Sequence, residues 1–355
     1  MKDKGISTLK VAATYIGTVV GAGFATGQEI LQFFNVFGRL GFLGLILTTF
    51  MFMIFGYLIM SLGNKLNAKS HLEVIRHSGG KVFGNLMDFI ITFFLFGALS
   101  AMIAGTGSIF VQQFNLPSLL GNFIMAIITA LTVLTGIDGI IKSISFVVPF
   151  LLLSVIAISI YSIINNPIDI NNSASVISEN SLMPNFLIAA ILYVSYNIIL
   201  SISILGPLGV KAKHKKTIRN GAILGGLGLG LGSILIYFTL MRFMGEVANI
   251  DVPMIYVASK ISPIIQIVYA IILIAEIYTT AVGSLYGFVY RINNKQKHPS
   301  NIRVLVITST ALALLVSQLG FTSLIKYLYP LVGIAGLLLL ISLIINRLKE
   351  KGYLI

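Results

Sequence analysis

Three oxygen-bearing side chains interrupt an otherwise apolar stretch late in the chain. Glu276 follows the apolar residues 271–275, and Thr279 and Thr280 follow it by about one helical turn. A carboxylate at membrane depth costs about 2.5–3.5 kcal/mol, and such residues usually mark ion or substrate pathways. Glu276 is therefore predicted to ligate an ion, carry a proton or pair with a substrate amine. The alternative is a neutral acid that hydrogen-bonds to a neighbouring helix.

A glycine-rich stretch near the start of the chain cannot form a good continuous helix. Gly17, Gly21, Gly23 and Gly27 fall within eleven residues, and each costs about 1 kcal/mol relative to alanine in a helix. Inside a membrane, a helix can break only where the freed backbone groups line a protein cavity. We predict a break near residue 22, with substrate contacts from Gly21, Gly23, Phe24, Ala25 and Thr26.

Other polar residues at membrane depth are further candidates for substrate contact. Glu29 follows the first break and either contacts substrate or complements the dipole of the resumed helix. Tyr196 and Asn197 lie in mid-membrane, and we predict a second break there, with both side chains in the site. Thr106 lies among small residues that either line a cavity or pack against another helix.

The composition is that of a chain whose solvent is partly lipid. Hydrophobic residues make up 57% of the sequence and charged residues 10%, with a mean hydropathy of +0.97, whereas soluble domains carry about 25% charged residues. A spanning helix needs about 20 apolar residues. Ten such segments are predicted, near 8–36, 40–62, 84–113, 118–136, 140–164, 183–209, 219–243, 262–290, 302–319 and 324–346.

The basic residues predict the orientation of these spans. With the N-terminus in the cytoplasm, 20 of the 24 Lys and Arg residues fall on the inner side. The outer side receives only Arg39, Arg242, Lys260 and Lys326. This asymmetry follows the positive-inside rule and places both termini in the cytoplasm, in a bacterial cytoplasmic membrane. It also accounts for the net charge of +13 without a nucleic-acid partner.

The two predicted breaks are related by topology. They lie about 174 residues apart and are separated by five spans. Because five is odd, two five-helix halves would have opposite orientations, which is the inverted-repeat design of many transporters. The sequence thus predicts an all-α integral membrane protein of ten transmembrane helices in a single membrane domain, with one repeat in residues 1–165 and the other in 183–347.

Enzymatic functions find no support in the sequence. Cysteine is absent, which excludes thiol catalysis and thiolate metal sites. Gly79, Gly80 and Lys81 lack the upstream glycine of a phosphate-binding loop, so ATP is not an expected partner. No Ser, His and Asp set lies at membrane depth. We therefore predict that the protein is not an enzyme and has no organic cofactor.

Around the first break, the chain resembles the LeuT-fold transporters of the amino acid–polyamine–organocation superfamily. The run from Gly21 to Glu29 looks, more narrowly, like that of bacterial YkvI-type membrane proteins. The resemblance implies a sodium ion held by the carbonyls of Gly17 and Val20 and the hydroxyls of Thr279 and Thr280. Glu276 and the Tyr196–Asn197 pair depart from the sodium-coupled pattern.

The function expected from these features is sodium-coupled symport of a small organic solute, such as an amino acid or amine, by alternating access. Coupling to protons through Glu276 is one alternative. Another is a ligand-sensing membrane subunit without net transport, which spore germinant receptor subunits resemble. A divalent-metal carrier is disfavoured, because the chain lacks the Asp-Pro-Gly break of such proteins. The sequence leaves the oligomeric state open.

Overall fold

The protein is a bundle of long helices. The computed structural model describes residues 6–68, 70–135, 138–165, 182–296 and 302–350, with side chains for all of these except 135, 138–148, 294–296 and 350. The predicted boundary between the two repeats, residues 166–182, lies almost entirely outside the described residues, so that division stays a prediction.

The helices follow one another with short connections. In the described residues they are α1 (Thr8–Val19), α2 (Ala22–Ala25), α3 (Gln28–Phe33), α4 (Arg39–Leu66), α5 (His71–Phe114), α6 (Ser118–Thr135), α7 (Asp138–Asn165), α8 (Phe186–Ala212), α9 (Lys215–Arg242), α10 (Met244–Val247), α11 (Pro253–Ile261), α12 (Pro263–Gln296), α13 (Ile302–Ser317), α14 (Phe321–Ser323) and α15 (Tyr329–Glu350). A 3₁₀ turn (Asn35–Phe37) follows α3, and a π-helical turn (Leu324–Leu328) joins α14 to α15.

These helices occupy the predicted spans of an all-α membrane protein. Six continuous segments of the described chain are long and apolar enough to cross a membrane: α4, α5, α8, α9, most of α12, and the segment from α14 to α15. Three shorter apolar helices correspond to the predicted fourth, fifth and ninth spans. The first span is divided among α1, α2 and α3, so no continuous helix represents it.

The first span is interrupted where its glycines predict. Helix α1 ends at Val19, Val20 and Gly21 are extended, and α2 starts at Ala22. A second interruption follows at Gly27, whose φ of +80° lies in the left-handed region that favours glycine. The predicted break near residue 22 is therefore confirmed.

The predicted break in the sixth span is wrong. Helix α8 runs without interruption from Phe186 to Ala212 and includes Tyr196 and Asn197. Its polar side chains find partners without a break, because Ser195 donates to the Gly333 carbonyl (2.6 Å) and Asn197 donates to the Tyr193 carbonyl (2.9 Å). Because these polar groups already have hydrogen-bond partners, the buried helix does not need to open to satisfy them.

The two halves of the chain pack against each other span by span. Helix α1 contacts α8, α4 contacts α9, and α5 contacts α12. Each of these pairs joins a span of the first half to the span five places later. This is the pairing expected when two repeats of opposite orientation interlock.

Glycines bring α4 and α8 into backbone contact. A Cβ added at Gly209 would lie 1.9 Å from the Met60 carbonyl oxygen, and one at Gly63 would lie 2.2 Å from the Gly206 carbonyl oxygen. Small residues at such crossings allow close helix packing inside a membrane. The α4–α8 pair thus depends on the absence of side chains at these positions.

We expect Gly209→Ala to lower the stability of the protein by about 1–3 kcal/mol, as overpacking does in other interiors. The added methyl group meets backbone, so the two helices must separate. Thermal unfolding of the purified protein in detergent measures the effect. Gly245→Ala is the matched control, because a Cβ there would meet nothing within 4 Å. Equal melting temperatures for the two variants would contradict the close approach.

Candidate functional site

Glu29 folds back onto the interrupted first span. Its side chain is 6% exposed, and its Oε1 lies 2.2 Å from the position that a Cβ would take on Gly23. The carboxylate therefore rests against the Gly23 backbone, where any larger residue would displace it. Tyr196 of α8 donates a hydrogen bond of 2.5 Å to Glu29 Oε2. Two residues 167 positions apart thus meet at the break.

Five aromatic rings surround this hydrogen bond. Phe33, Phe94, Tyr193, Tyr196 and Tyr329 form what we call the ring cluster, and all five are buried. Their neighbouring ring centroids lie 5.0–6.1 Å apart. The Tyr193 hydroxyl also interacts with the Glu29 carboxylate. The cluster joins the first, third, sixth and tenth spans around one acidic group.

The tenth span reaches the ring cluster directly after its π-helical turn. Leu324–Leu328 adopt the π-helical conformation, and Tyr329 is the next residue. The Tyr329 ring lies 5.0 Å from that of Tyr196. Single π-helical turns occur frequently at functional sites. Here the π-helical turn sets the direction from which Tyr329 enters the ring cluster.

Glu276 of α12 is a second buried carboxylate. Its side chain is 2% exposed, and its Oε2 has no hydrogen-bond partner among the described residues. The Thr280 hydroxyl interacts with this carboxylate, while Thr279 donates to the Glu276 carbonyl at 3.0 Å. Neither Glu276 nor Glu29 forms an ion pair with a basic residue in the described part of the chain.

Contacts of Tyr269 fix the level of Glu276 relative to the break. The Tyr269 hydroxyl donates to the Ala25 carbonyl at 2.5 Å. Glu276 lies seven residues further along α12, which is about 10 Å at 1.5 Å per residue. No hydrogen bond among the described residues joins Glu276, Thr279 or Thr280 to Gly17 or Val20. The sodium site formed by these residues stays a prediction.

Several of the other predicted site residues bond to their own helices. Asn197 donates to Tyr193, Thr106 donates to the Met102 carbonyl, and Thr26 donates to the Gly23 carbonyl. The Phe24 ring packs beside Gly232 of α9. These residues are buried, but their described contacts are those of helix packing and capping. A contact with substrate remains a prediction for each of them.

The sequence analysis missed an acidic residue that closes one end of the bundle. Asp251, in the loop before α11, accepts hydrogen bonds from Ser108 (2.7 Å) and from Thr322. Gln28 of the first span in turn donates to Thr322 (2.8 Å). These hydrogen bonds, which we call the Asp251 closure, link the third span, the tenth span and the loop. The signal was present in the polar residues Asn249 and Asp251, which lie on either side of Ile250.

Backbone contacts reinforce the Asp251 closure. The amide of Met254 donates to the Thr26 carbonyl (3.0 Å), and Gln112 exchanges two hydrogen bonds with Val252 (3.0 and 3.2 Å). A cavity of about 490 Å³ lies beside them, with Gln112, Asn122 and Asp251 in its wall. The loop thus covers the first break from this end.

The other end of the bundle carries the basic residues. Lys65, Lys215 and Arg347 line one cavity there, which defines what we call the basic end. Arg291 of α12 forms an ion pair with Asp88 of α5 (2.7 Å), and His71 contacts the same carboxylate (3.2 Å). Nearer the break, a Cβ added at Gly21 or at Gly283 would meet no atom within 4 Å. Open space therefore adjoins the break and α12.

Known proteins resemble this chain over nearly its whole length, although no protein-family model matches it. It is 30% identical over 350 residues to the uncharacterized membrane protein YkvI of Bacillus subtilis strain 168, covering 99% of both chains. It is 29% identical over 339 residues to YyaD of the same organism, covering 95% of this chain and 96% of YyaD.

Solved transporter structures share the fold. A Na⁺-coupled sialic acid symporter superposes with a TM-score of 0.61 at 12% identity, covering 93% of this chain and 76% of the symporter. MhsT in complex with L-phenylalanine gives 0.58 at 19% identity, with coverage of 89% and 80%. Mhp1, a nucleobase-cation-symport-1 family transporter, gives 0.55 at 17%, with coverage of 93% and 75%. The chain thus has the fold of the LeuT-like transporters and belongs to the family of the membrane protein YkvI.

Proposed function

We propose that the protein is a sodium-coupled symporter of a small organic solute, an amino acid or amine, that works by alternating access. The observation that carries this proposal is an interrupted first span in a bundle with two buried carboxylates, Glu29 against Gly23 of that span and Glu276 on α12. A buried carboxylate is costly unless it is paired or protonated. A cationic solute and a coupling sodium ion would supply the positive charges that the described residues do not place beside these two carboxylates.

The proposed sodium site combines backbone and side-chain oxygens. Because α1 ends at Val19 and Gly21 is extended, the carbonyls from Gly17 to Val20 have lost their helical donors. Glu276, Thr279 and Thr280 of α12 would supply the side-chain oxygens. Unwound carbonyls of this kind coordinate Na⁺ in transporters with discontinuous helices. The unpartnered Oε2 of Glu276 is the atom that gains a ligand.

Alternating access is supported by the difference between the two ends of the bundle. The Asp251 closure ties three elements over the break at one end. Toward the basic end, open space adjoins Gly21 and Gly283. Closure at one end with opening toward the other is one half of a transport cycle. In the proposed orientation the basic end faces the cytoplasm, with both termini there, and the membrane is the bacterial cytoplasmic membrane.

Proton coupling is the second candidate, and Glu276 favours it. A carboxylic acid with one unpartnered oxygen can carry a proton in place of a sodium ion.

A non-transporting ligand sensor is the third candidate, and it would use the same fold without moving its ligand.

Uptake by the reconstituted protein separates these functions. Proteoliposomes are loaded with potassium and given a mixture of radiolabelled amino acids and amines, with either sodium or potassium outside. We expect accumulation of a solute only with an inward sodium gradient. Accumulation that follows pH and ignores sodium would move the coupling to protons. Binding without uptake would support a sensor and contradict the proposal.

Thr280→Ala is expected to weaken sodium dependence more than solute recognition. Loss of one hydroxyl ligand should raise the sodium concentration for half-maximal uptake about tenfold, since a hydrogen bond or ligand to a charged group contributes about 1.5–3 kcal/mol. The half-saturating solute concentration at saturating sodium should change little. Thr308→Ala is the control, because Thr308 is exposed and bonds to its own helix. Equal losses of sodium and solute affinity would count against the assigned role.

Asp251→Ala is expected to open the end of the bundle that Asp251 closes. Since the chain has no cysteine, Ala104→Cys places a single reporter in the wall of the 490 Å³ cavity. Its reaction with a membrane-impermeant maleimide on intact cells should accelerate several-fold when Asp251 is removed. Glu246→Gln, at an exposed position nearby, serves as the control. An unchanged labelling rate would show that Asp251 does not hold this end closed.

A further inference from the structure

We infer that the solute is an organic cation without a carboxylate of its own, and that Glu29 and the ring cluster form its ammonium site. This inference rests on the proposed function, which it makes more specific. It starts from the surroundings of one of the two buried carboxylates: the protein supplies its own carboxylate, Glu29, in contact with Gly23 and held there by Tyr196.

The two oxygens of Glu29 have different surroundings. Oε2 accepts the Tyr196 hydroxyl at 2.5 Å, which fixes the direction of the side chain. Oε1 lies against Gly23, two residues from Gly21, where an added Cβ would meet no atom within 4 Å. Tyr196 thus orients the carboxylate, and the open space available for a ligand lies at Gly21, two residues along the chain from the glycine that Oε1 contacts. An ammonium group in that space would receive the charge that Glu29 otherwise leaves unpaired.

The ring cluster adds a second element of cation recognition. The rings of Tyr193, Tyr196 and Tyr329 lie within interaction distance of the Glu29 carboxylate, and ammonium groups are attracted to the π faces of such rings. Carboxylate and aromatic rings together recognise alkylammonium ions. Because the ring centroids are only 5.0–6.1 Å apart, the rings fill the centre of the cluster. The cation therefore binds at its margin, on the Gly21 side.

The same arrangement disfavours a zwitterionic amino acid. Its carboxylate would approach Glu29 in a site from which water is largely excluded, and like charges at close range are strongly unfavourable at low dielectric. No lysine or arginine of the described chain pairs with Glu29 to offset that repulsion. The ammonium group of a simple amine is attracted to Glu29, and the amine carries no carboxylate for Glu29 to repel.

Matched pairs of ligands test the inference on the purified wild-type protein. Thermal shift and equilibrium binding in detergent compare 2-phenylethylamine with L-phenylalanine, and cadaverine with L-lysine. The members of each pair differ by one carboxylate. We expect the amine of at least one pair to raise the melting temperature and to bind at least tenfold more tightly than its amino acid. Equal binding of both members, or no shift with either amine, would overturn the inference.

Variants then assign the binding to Glu29 and the rings. Glu29→Gln keeps the shape of the side chain and should weaken amine binding at least tenfold. Tyr329→Leu should weaken it about fivefold or more, whereas Tyr329→Phe keeps the π face and should restore most of the affinity. Glu246→Gln should bind as the wild type does. Amine affinity that is unchanged in Glu29→Gln would place the ammonium site elsewhere and refute the assignment.

The outcomes distinguish this inference from the proposed function. Binding in detergent requires neither a gradient nor transport. A protein that binds amines through Glu29 but accumulates nothing in proteoliposomes would uphold the ammonium site and refute symport. Sodium-driven accumulation of an amino acid, with no preference for the amine, would uphold symport and refute the ammonium site.

Discussion

The interruption of the first span at Val20 and Gly21 is the feature on which the rest of the site depends. Inside a membrane, backbone groups that leave a helix must find partners in protein, water or ligand. The surrounding helices supply some of these partners. The Tyr269 hydroxyl of α12 donates to the Ala25 carbonyl, and the Met254 amide donates to the Thr26 carbonyl.

A continuous sixth span changes how such a site is built. With α8 intact, only the first span offers free backbone groups. The sixth span contributes side chains instead, above all the Tyr196 hydroxyl that holds Glu29. In the proposed site, recognition of the solute therefore depends more on a carboxylate and aromatic rings than on paired helix ends. This difference is consistent with low identity to the solved transporters, 12–19%, at a shared fold. Fold and cargo vary independently, because cargo is set by the few residues at the site.

The helices are linked by different chemistry at the two ends of the bundle. At one end, Asp251 accepts hydroxyl hydrogen bonds from two spans. At the basic end, Arg291, Asp88 and His71 connect α12 to α5. A few hydrogen bonds of modest net strength are suited to a contact that would form and break in each cycle of the proposed transport. The close backbone packing of α4 on α8 cannot separate and re-form as readily as these hydrogen bonds. It suits a part of the bundle that would move as one body.

The sequence by itself determined the class of the protein, the positions of its spans and the break in the first of them. These are local properties: twenty apolar residues must lie in lipid, and four glycines in eleven residues weaken a helix wherever it packs. It also singled out Glu29, Tyr196 and Glu276 as buried polar residues. Only the tertiary structure decided whether each polar residue breaks its helix or finds a partner. Ser195 is satisfied by Gly333, 138 residues away, so α8 stays whole. Glu29 meets Tyr196, and Asp251 meets Ser108, across similar distances in the chain. The free energy of a buried polar group is set by its partners, and those partners lie on other helices.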